Sequence, residues 1–197
     1  MPATAPRPLV PILAVLALAA GAAPTSAQFT VWTVDDDSAA DFAELQDAVD
    51  AAAPFDVIVL QPGAYGETVV DGKGLTIVAP GSALVVPGAT APGSGAAPLT
   101  VRNLPAGQSV VLDGFTVFNG FPGPEAALLV EDCAGPVWVQ DVFIDAYGTQ
   151  AVRARNASSL VLVDTLAQTN LGAAAPDGTP QPLPGVELLA GTAGYGY

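Results

Sequence analysis

Histidine is absent from this chain of 197 residues, and cysteine occurs once, as Cys133. Histidine is the most frequent general base and a common zinc ligand at neutral pH, so its absence excludes histidine-dependent hydrolytic triads and zinc chemistry. A single cysteine excludes an intrachain disulfide and a multi-cysteine metal site. We expect Cys133 to be an inert, small side chain at a corner of the fold.

Positive charge is also scarce, with 5 Lys and Arg against 19 Asp and Glu and a formal net charge of −14. A protein that binds a phosphate backbone needs clustered basic residues, so we expect no nucleic-acid partner. Hydrophobic residues make up 51% of the chain and charged residues 12%, and there are 21 Gly and 19 Pro. This composition is typical of a packed core with many turns.

Residues 1–27 are typical of a secretory signal peptide. Arg7 is the only charge before an apolar run over residues 9–23, and small residues follow up to Ala27, the expected cleavage site. The alternative is a membrane anchor, but the run is shorter than the roughly 20 residues that span hydrocarbon. We therefore predict an exported protein, extracellular or at the cell surface, with no membrane span in its mature chain.

Residues 28–56 predict a strand and a capping helix. The segment 29–34 alternates like a strand, and Ser38 with Asp41 resembles a capping box that starts a helix. Pro54 ends the helical pattern. The apolar stripe of this helix is formed by Phe42, Leu45, Val49 and Ala52.

Residues 57–190 contain short strands that recur in two interleaved series. One series begins at Val110, Val137 and Leu160, and the other at Leu99, Leu128, Val152 and Val186. Two interleaved series of similar period indicate one coil of chain per period, with each coil stacked on the previous one. The sequence therefore predicts an all-β solenoid of parallel strands with about five or six coils.

Register between the coils makes specific predictions for outward side chains. Arg102, Glu131 and Arg155 fall one above another, separated by the roughly 4.8 Å between adjacent strands, so opposite charges stack. Arg153 faces Glu187 in the same way. Three residues with turn-tolerant side chains share the following corner: Asn103, Asp132 and Asn156.

The N-terminal part of this pattern resembles a known fold family. The segments 41–52 and 56–60, followed by Pro62-Gly63-Ala64-Tyr65-Gly66-Glu67, are similar to the N-terminal cap of the pectin lyase-like superfamily. The resemblance covers about residues 30–190 and implies a right-handed parallel β-helix with an N-terminal capping helix. This fold carries lyases, hydrolases, esterases, adhesins and inactive modules, so it does not identify an activity.

Individual members of that superfamily are matched only in part. Residues 63–67 resemble the first motif of pectin methylesterases, whose later catalytic motifs have no counterpart here. Polygalacturonase-like enzymes use a histidine, and this chain has none. A pectate lyase-like enzyme would need calcium-binding carboxylates beside an arginine base.

Several charged residues are candidates for such a site, each with a structural alternative. Aspartates in successive coils could bind calcium or form an acid/base pair, but corner aspartates more commonly accept backbone hydrogen bonds. Arginines could act as lyase bases, although the register already pairs them with glutamates. The candidates are Asp113, Asp141, Asp145, Asp164, Arg153 and Arg155, of which Asp141 and Asp164 are also candidate metal ligands.

Two further features are candidate binding sites. Asp35, Asp36 and Asp37 are oxygen-rich like a calcium loop but lack the glycine and distal glutamate of an EF-hand, so a solvated cap is the alternative. Trp138 points outward in the predicted register and could stack on sugar rings or contact another chain. The alternative is that the loop 121–124 covers this side chain.

The C-terminal residues 191–197 are rich in Gly and Tyr and contain no capping helix. A solenoid needs its ends covered, so we expect either a truncated tail or a second β-helix chain that covers the last coil. The favoured function is a secreted, noncatalytic module, structural or in contact with carbohydrate, with no cofactor. The alternative is a calcium-dependent, polysaccharide-active enzyme.

Overall fold

The computed structural model describes residues 29–86, 97–120, 126–147, 149–170, 186–188 and 194–196. The predicted signal peptide, its cleavage site at Ala27 and the loop 121–124 lie outside the described residues. Of the C-terminal tail 191–197, only the strand at 194–196 is described.

The described residues form one short helix and 17 strands. Their bounds are β1 (Val31–Val34), α1 (Leu45–Ala51), β2 (Val57–Leu60), β3 (Gly63–Tyr65), β4 (Thr68–Asp71), β5 (Thr76–Val78), β6 (Ala83–Val85), β7 (Leu99–Arg102), β8 (Val110–Asp113), β9 (Thr116–Asn119), β10 (Leu128–Glu131), β11 (Pro136–Gln140), β12 (Phe143–Tyr147), β13 (Val152–Arg155), β14 (Ser159–Val163), β15 (Leu166–Asn170), β16 (Val186–Leu188) and β17 (Gly194–Gly196).

These strands form three sheets, and every strand pair is parallel. Sheet A has the order β1-β2-β5-β8-β11-β14-β17, sheet B the order β15-β12-β9-β6-β3, and sheet C the order β16-β13-β10-β7-β4. From β2 onward the chain visits sheets A, B and C in turn and returns to each sheet three strands later. This order confirms the predicted all-β parallel solenoid, because each pass of the chain stacks on the previous one.

Inward side chains of successive strands stack in columns that form one continuous core. Val110 and Leu160 flank Val137 in sheet A, and the column from Leu99 through Leu128 to Val152 lies in sheet C, as predicted. All of these side chains are buried. Each fully buried Val or Leu stabilises the fold by about 1.5–3 kcal/mol, so the core does not need a disulfide.

The helix begins later than the sequence predicts. It starts at Leu45, so the prediction that Ser38 and Asp41 form a capping box is wrong. The Asp41 carboxylate instead accepts hydrogen bonds from the backbone N–H and the hydroxyl of Thr33, both at 2.8 Å, while the Ser38 hydroxyl donates to Asp35. Contact with β1 therefore takes Asp41 away from the helix, and Ser38 bonds within its own loop.

The buried carboxylate of Asp56 links the first strand to the end of the helix through hydrogen bonds. It is 2% exposed, and its carboxylate accepts hydrogen bonds from Thr30 N at 2.7 Å, Trp32 Nε1 at 3.0 Å and Ala53 N at 2.9 Å. Burial acts to raise the pKa of Asp56, but these hydrogen bonds outweigh it and hold the pKa below its ordinary value. The only lysine, Lys73, donates to the carbonyl of Ala52 at 2.8 Å just after the helix.

The first strand of each sheet has its outer edge covered. In sheet A, the end of β1 forms a parallel bridge to Phe42, whose backbone N–H donates to Thr33 O at 3.1 Å. In sheet C, the Gln46 amide accepts from Val69 N at 2.7 Å and donates to Val69 O at 3.3 Å, as a neighbouring strand would. In sheet B, Asp36 accepts from Ala64 N at 2.9 Å. Such coverage prevents pairing with other chains at this end.

At the opposite end, β15, β16 and β17 are the last strands of their sheets. Most of the surrounding residues lie outside the described ranges. The expectation of a truncated tail, or of a second β-helix chain over the last coil, therefore stays a prediction.

Candidate functional site

The corner between sheets A and B contains two of the candidate aspartates. Asp141 and Asp164 follow β11 and β14 with φ of 50° and 47°, and Gly114 occupies the same place after β8 with φ of 82°. In this left-handed conformation the N–H of Asp141 donates to Val163 O at 3.1 Å, and that of Gly114 donates to Gln140 O at 3.1 Å. Asp tolerates this conformation better than most residues, which accounts for its presence here.

The other two candidate aspartates are strand residues on different sheets. Asp113 ends β8 in sheet A, beside Gln140 in the register. Asp145 lies in β12 of sheet B, between Phe118 and Gln168, on the outward side of the strand.

The candidate arginines Arg153 and Arg155 lie on β13 of sheet C, and Arg155 belongs to the predicted charge column. Arg155 Nη2 is 3.0 Å from Glu131 Oε2, and Arg102 Nε is 2.9 Å from Asp71 Oδ2. Sequence reasoning missed Asp71, because β4 was not aligned with the repeats. Asp71 accepts hydrogen bonds from Asn103 and Arg102, and these lower its pKa against the effect of partial burial.

Arg153 has the predicted register opposite Glu187 and also forms a hydrogen bond within its own coil. It lies opposite Glu187 between β13 and β16, and its guanidinium donates to the side chain of Gln150. The candidate catalytic residues are thus distributed over sheet A, its corner with sheet B, sheet B itself and sheet C.

The corner between sheets C and A contains the predicted polar column. Asn103, Asp132 and Asn156 have φ of 54°, 53° and 48°. Asn156 Nδ2 donates to Asp132 Oδ1 at 2.8 Å, and Asn103 Nδ2 donates to Asp71 Oδ1 at the same distance. Side chains on this corner therefore link successive coils.

A shallow pocket of about 240 Å³ adjoins this corner and is lined by Asp132, Cys133, Ala134, Asn156 and Ser158. Cys133 itself is 1% exposed and donates to Glu131 O at 3.3 Å. Burial raises the pKa of its thiol, which keeps it protonated and unreactive at neutral pH. The structure thus supports the expectation that Cys133 is an inert, small side chain.

The candidate calcium loop brings three carboxylates together. One oxygen from each of Asp35, Asp36 and Asp37 lies within 4.8 Å of the others, and no other group of three potential metal ligands occurs in the described part of the chain. Three oxygen ligands fall short of the six to eight that Ca²⁺ takes. A hydrogen bond from Ser38 lowers the pKa of Asp35. The pKa of Asp37 is raised, because Asp37 forms a hydrogen bond with Asp35 and is repelled by the charges of Asp35 and Asp36. Asp36 is already bonded to the edge of β3.

Trp138 occupies the middle of the outward face of sheet A. Its side chain is 43% exposed, and its register neighbours are Val111 on β8 and Val161 on β14. Gln140, also exposed, lies two residues further along β11 beside Asp113. An exposed aromatic ring in an apolar stripe with polar groups at one side is typical of a contact surface.

That stripe follows the length of sheet A. The six strands of sheet A from β1 to β14 each contribute one outward residue to this stripe, and only one of these six residues is polar. The members are Val31, Val57, Thr76, Val111, Trp138 and Val161. We call this row the sheet A stripe. Sequence reasoning found its part around Trp138 and missed the continuation through β5, β2 and β1.

No helix in the described ranges is long and apolar enough to cross a membrane. No protein-family model matches the chain, and no curated protein matches it at a significant level.

Proposed function

We propose that this chain is a secreted, noncatalytic, right-handed parallel β-helix of the pectin lyase-like type that contacts carbohydrate through the sheet A stripe. The strand order supports a β-helix of five three-stranded coils, since sheets B and C have five strands each. The N-terminal helix and the motif at 62–67 support the superfamily. The apolar segment before Ala27 supports export.

The exposure of Trp138 is the observation that carries this proposal. Trp138 is 43% exposed on a parallel sheet, and an exposed indole ring can stack on the apolar C–H surface of a sugar ring. Val111 on one side is partly exposed and extends the apolar surface along the solenoid axis, whereas Val161 on the other side is buried. A linear polysaccharide lying along that axis would contact several coils at once.

The distribution of the charged candidates supports a noncatalytic role. Catalysis by carboxylates and an arginine base requires these groups to meet around one reacting atom. Arg155 is paired with Glu131, and Asp141 and Asp164 occupy left-handed corner positions on another side of the coil. A corner role accounts for both aspartates without a substrate.

The first test is binding of the purified protein to immobilised polysaccharides, followed by calorimetry with soluble fragments. We expect Trp138→Ala to weaken binding about tenfold or more, because the stacking surface is lost. Phe118→Ala is the matched control, since Phe118 is an aromatic residue, 36% exposed, on sheet B. Equal affinity of wild type and Trp138→Ala for every glycan that binds would contradict the proposal.

The same samples test the enzymatic alternative. Incubation with polygalacturonate or alginate in the presence of Ca²⁺ is expected to release no unsaturated products, which absorb in the ultraviolet. Product formation that disappears in Asp141→Asn or Arg153→Gln would replace the binding module with a lyase.

A further inference from the structure

We infer that the sheet A stripe accepts uncharged polysaccharides and excludes polyanionic ones. This inference rests on the proposed function and adds the class of glycan. It follows from where the few positive charges of the chain lie and from which charges surround Trp138.

Positive charge is absent from the strands of sheet A. After Arg7 the chain has only four basic residues. Lys73 donates to carbonyls at the end of the helix, and Arg102 lies on β7 of sheet C, where it is paired with Asp71. Arg153 and Arg155 lie on β13 of the same sheet. A uronate or sulfated sugar on the sheet A stripe would therefore find no cationic partner on that sheet.

Negative charge lies beside the stripe. Asp113 is adjacent to Gln140 in the register, and Gln140 lies two residues from Trp138, or about 6.6 Å along the strand. Asp141 follows Gln140 directly, and Asp164 occupies the equivalent place one strand further. These carboxylates lie at or just after the same ends of β8, β11 and β14, so they would repel a polyanion bound at Trp138, most strongly at low salt.

The same polar groups suit a neutral sugar. The Asp113 carboxylate accepts hydrogen bonds from hydroxyls, and the exposed Gln140 amide both donates and accepts. Together with the Trp138 ring they offer one apolar surface and two orienting polar groups, the usual composition of a specific sugar or small-ligand site. Electrostatic complementarity of this kind sets specificity by rejecting the wrong charge.

The test compares ligands that share a backbone and differ in charge. Hydroxyethyl cellulose is paired with carboxymethyl cellulose, and methyl-esterified polygalacturonate with its de-esterified form, alongside neutral xylan and mannan. We expect at least one neutral polymer to bind in a manner that depends on Trp138. In any pair that contains a binder, we expect the charged member to bind about tenfold or more weakly at low salt, with a smaller difference at high salt. Asp141→Asn removes a carboxylate beside the stripe but neither of the two orienting groups, so it should narrow that difference severalfold and leave binding of the neutral member within about twofold.

The outcomes separate this inference from the function on which it rests. If a polyanion binds as tightly as its neutral counterpart and Trp138→Ala abolishes both, the charge inference is wrong and the carbohydrate contact stands. If no glycan binding depends on Trp138, both fail. If Trp138→Ala instead converts an oligomer to a monomer in light scattering, a second copy of the chain occupies the stripe and both proposals are overturned.

Discussion

The two corners on either side of sheet A use the same backbone conformation with different side chains. At the corner with sheet C, the left-handed positions are Gly72, Asn103, Asp132 and Asn156. At the corner with sheet B, they are Gly114, Asp141 and Asp164. At both corners a residue after a strand donates its N–H to the last residue of the matching strand in the next coil, as Asp132 does to Arg155 and Asp141 to Val163.

The difference lies in what the side chains do. Asn156 and Asn103 each donate to a carboxylate on the preceding coil at 2.8 Å. Among the described residues, neither the Asp141 nor the Asp164 carboxylate forms a hydrogen bond or an ion pair. An aspartate in a repeated position is therefore weak support for a metal or catalytic site, because the corner backbone alone favours Asp, Asn and Gly.

The largest expected effect is that of Gly114→Ala. A Cβ at this position would lie 2.5 Å from Ala79 O and would also be strained at a φ of +82°. We expect a loss of about 3 kcal/mol in the free energy of unfolding, measured with urea. Gly72→Ala is the matched control, since its φ is +70° and no atom lies within 4 Å of its Cβ. The control should lose only about 1 kcal/mol, and equal losses would show that close packing does not distinguish the corners.

An intermediate effect is expected from glycine substitution at matched places on the two corners. Asn156→Gly keeps the left-handed backbone and removes the hydrogen bond to Asp132, so we expect a loss of about 1 kcal/mol. Asp164→Gly removes a carboxylate that bonds to no described residue and should change stability by no more than about 0.5 kcal/mol. Thermal unfolding with and without Ca²⁺ measures both. Stabilisation of the wild type by Ca²⁺, abolished by Asp164→Gly, would make the corner with sheet B a metal site.

The smallest expected effect is the pH dependence of the corner with sheet C. Hydrogen bonds from Asn103 and Arg102 lower the pKa of Asp71 below its ordinary value of 3.8. A lowered pKa in the folded state contributes stability above the unfolded-state pKa, and that contribution is lost as the pH falls through the folded value. Asp71 is 44% exposed, so solvent screening limits the contribution to below about 1 kcal/mol.

Acid unfolding of Asp71→Asn measures this contribution. Its stability should fall less than that of the wild type between about pH 5 and pH 2. Identical acid dependence of the two proteins would mean that the charge column does not stabilise the fold.

Much of the fold was predictable because a solenoid repeats one local pattern. Alternation of inward and outward residues is a property of each strand, and aligning Val110 with Val137 and Leu160 was sufficient for the register of sheet A. The column of Arg102, Glu131 and Arg155 followed from aligning the other series, Leu99 with Leu128 and Val152. Asp71 was missed because β4 follows β3 after two residues and shows no repeat of its own.

Parallel strands, the register from β7 to β14 and the corner positions were predictable from the amino acids alone, because these depend on alternation and on the residues that tolerate a positive φ. The tertiary structure set the start of the helix, because Asp41 bonds to Thr33 on β1 rather than to the helix. It also decided which outward residues share a surface. Trp138 belongs to the sheet A stripe, and Arg153 to sheet C, because the order in which strands meet across coils is a property of the whole chain.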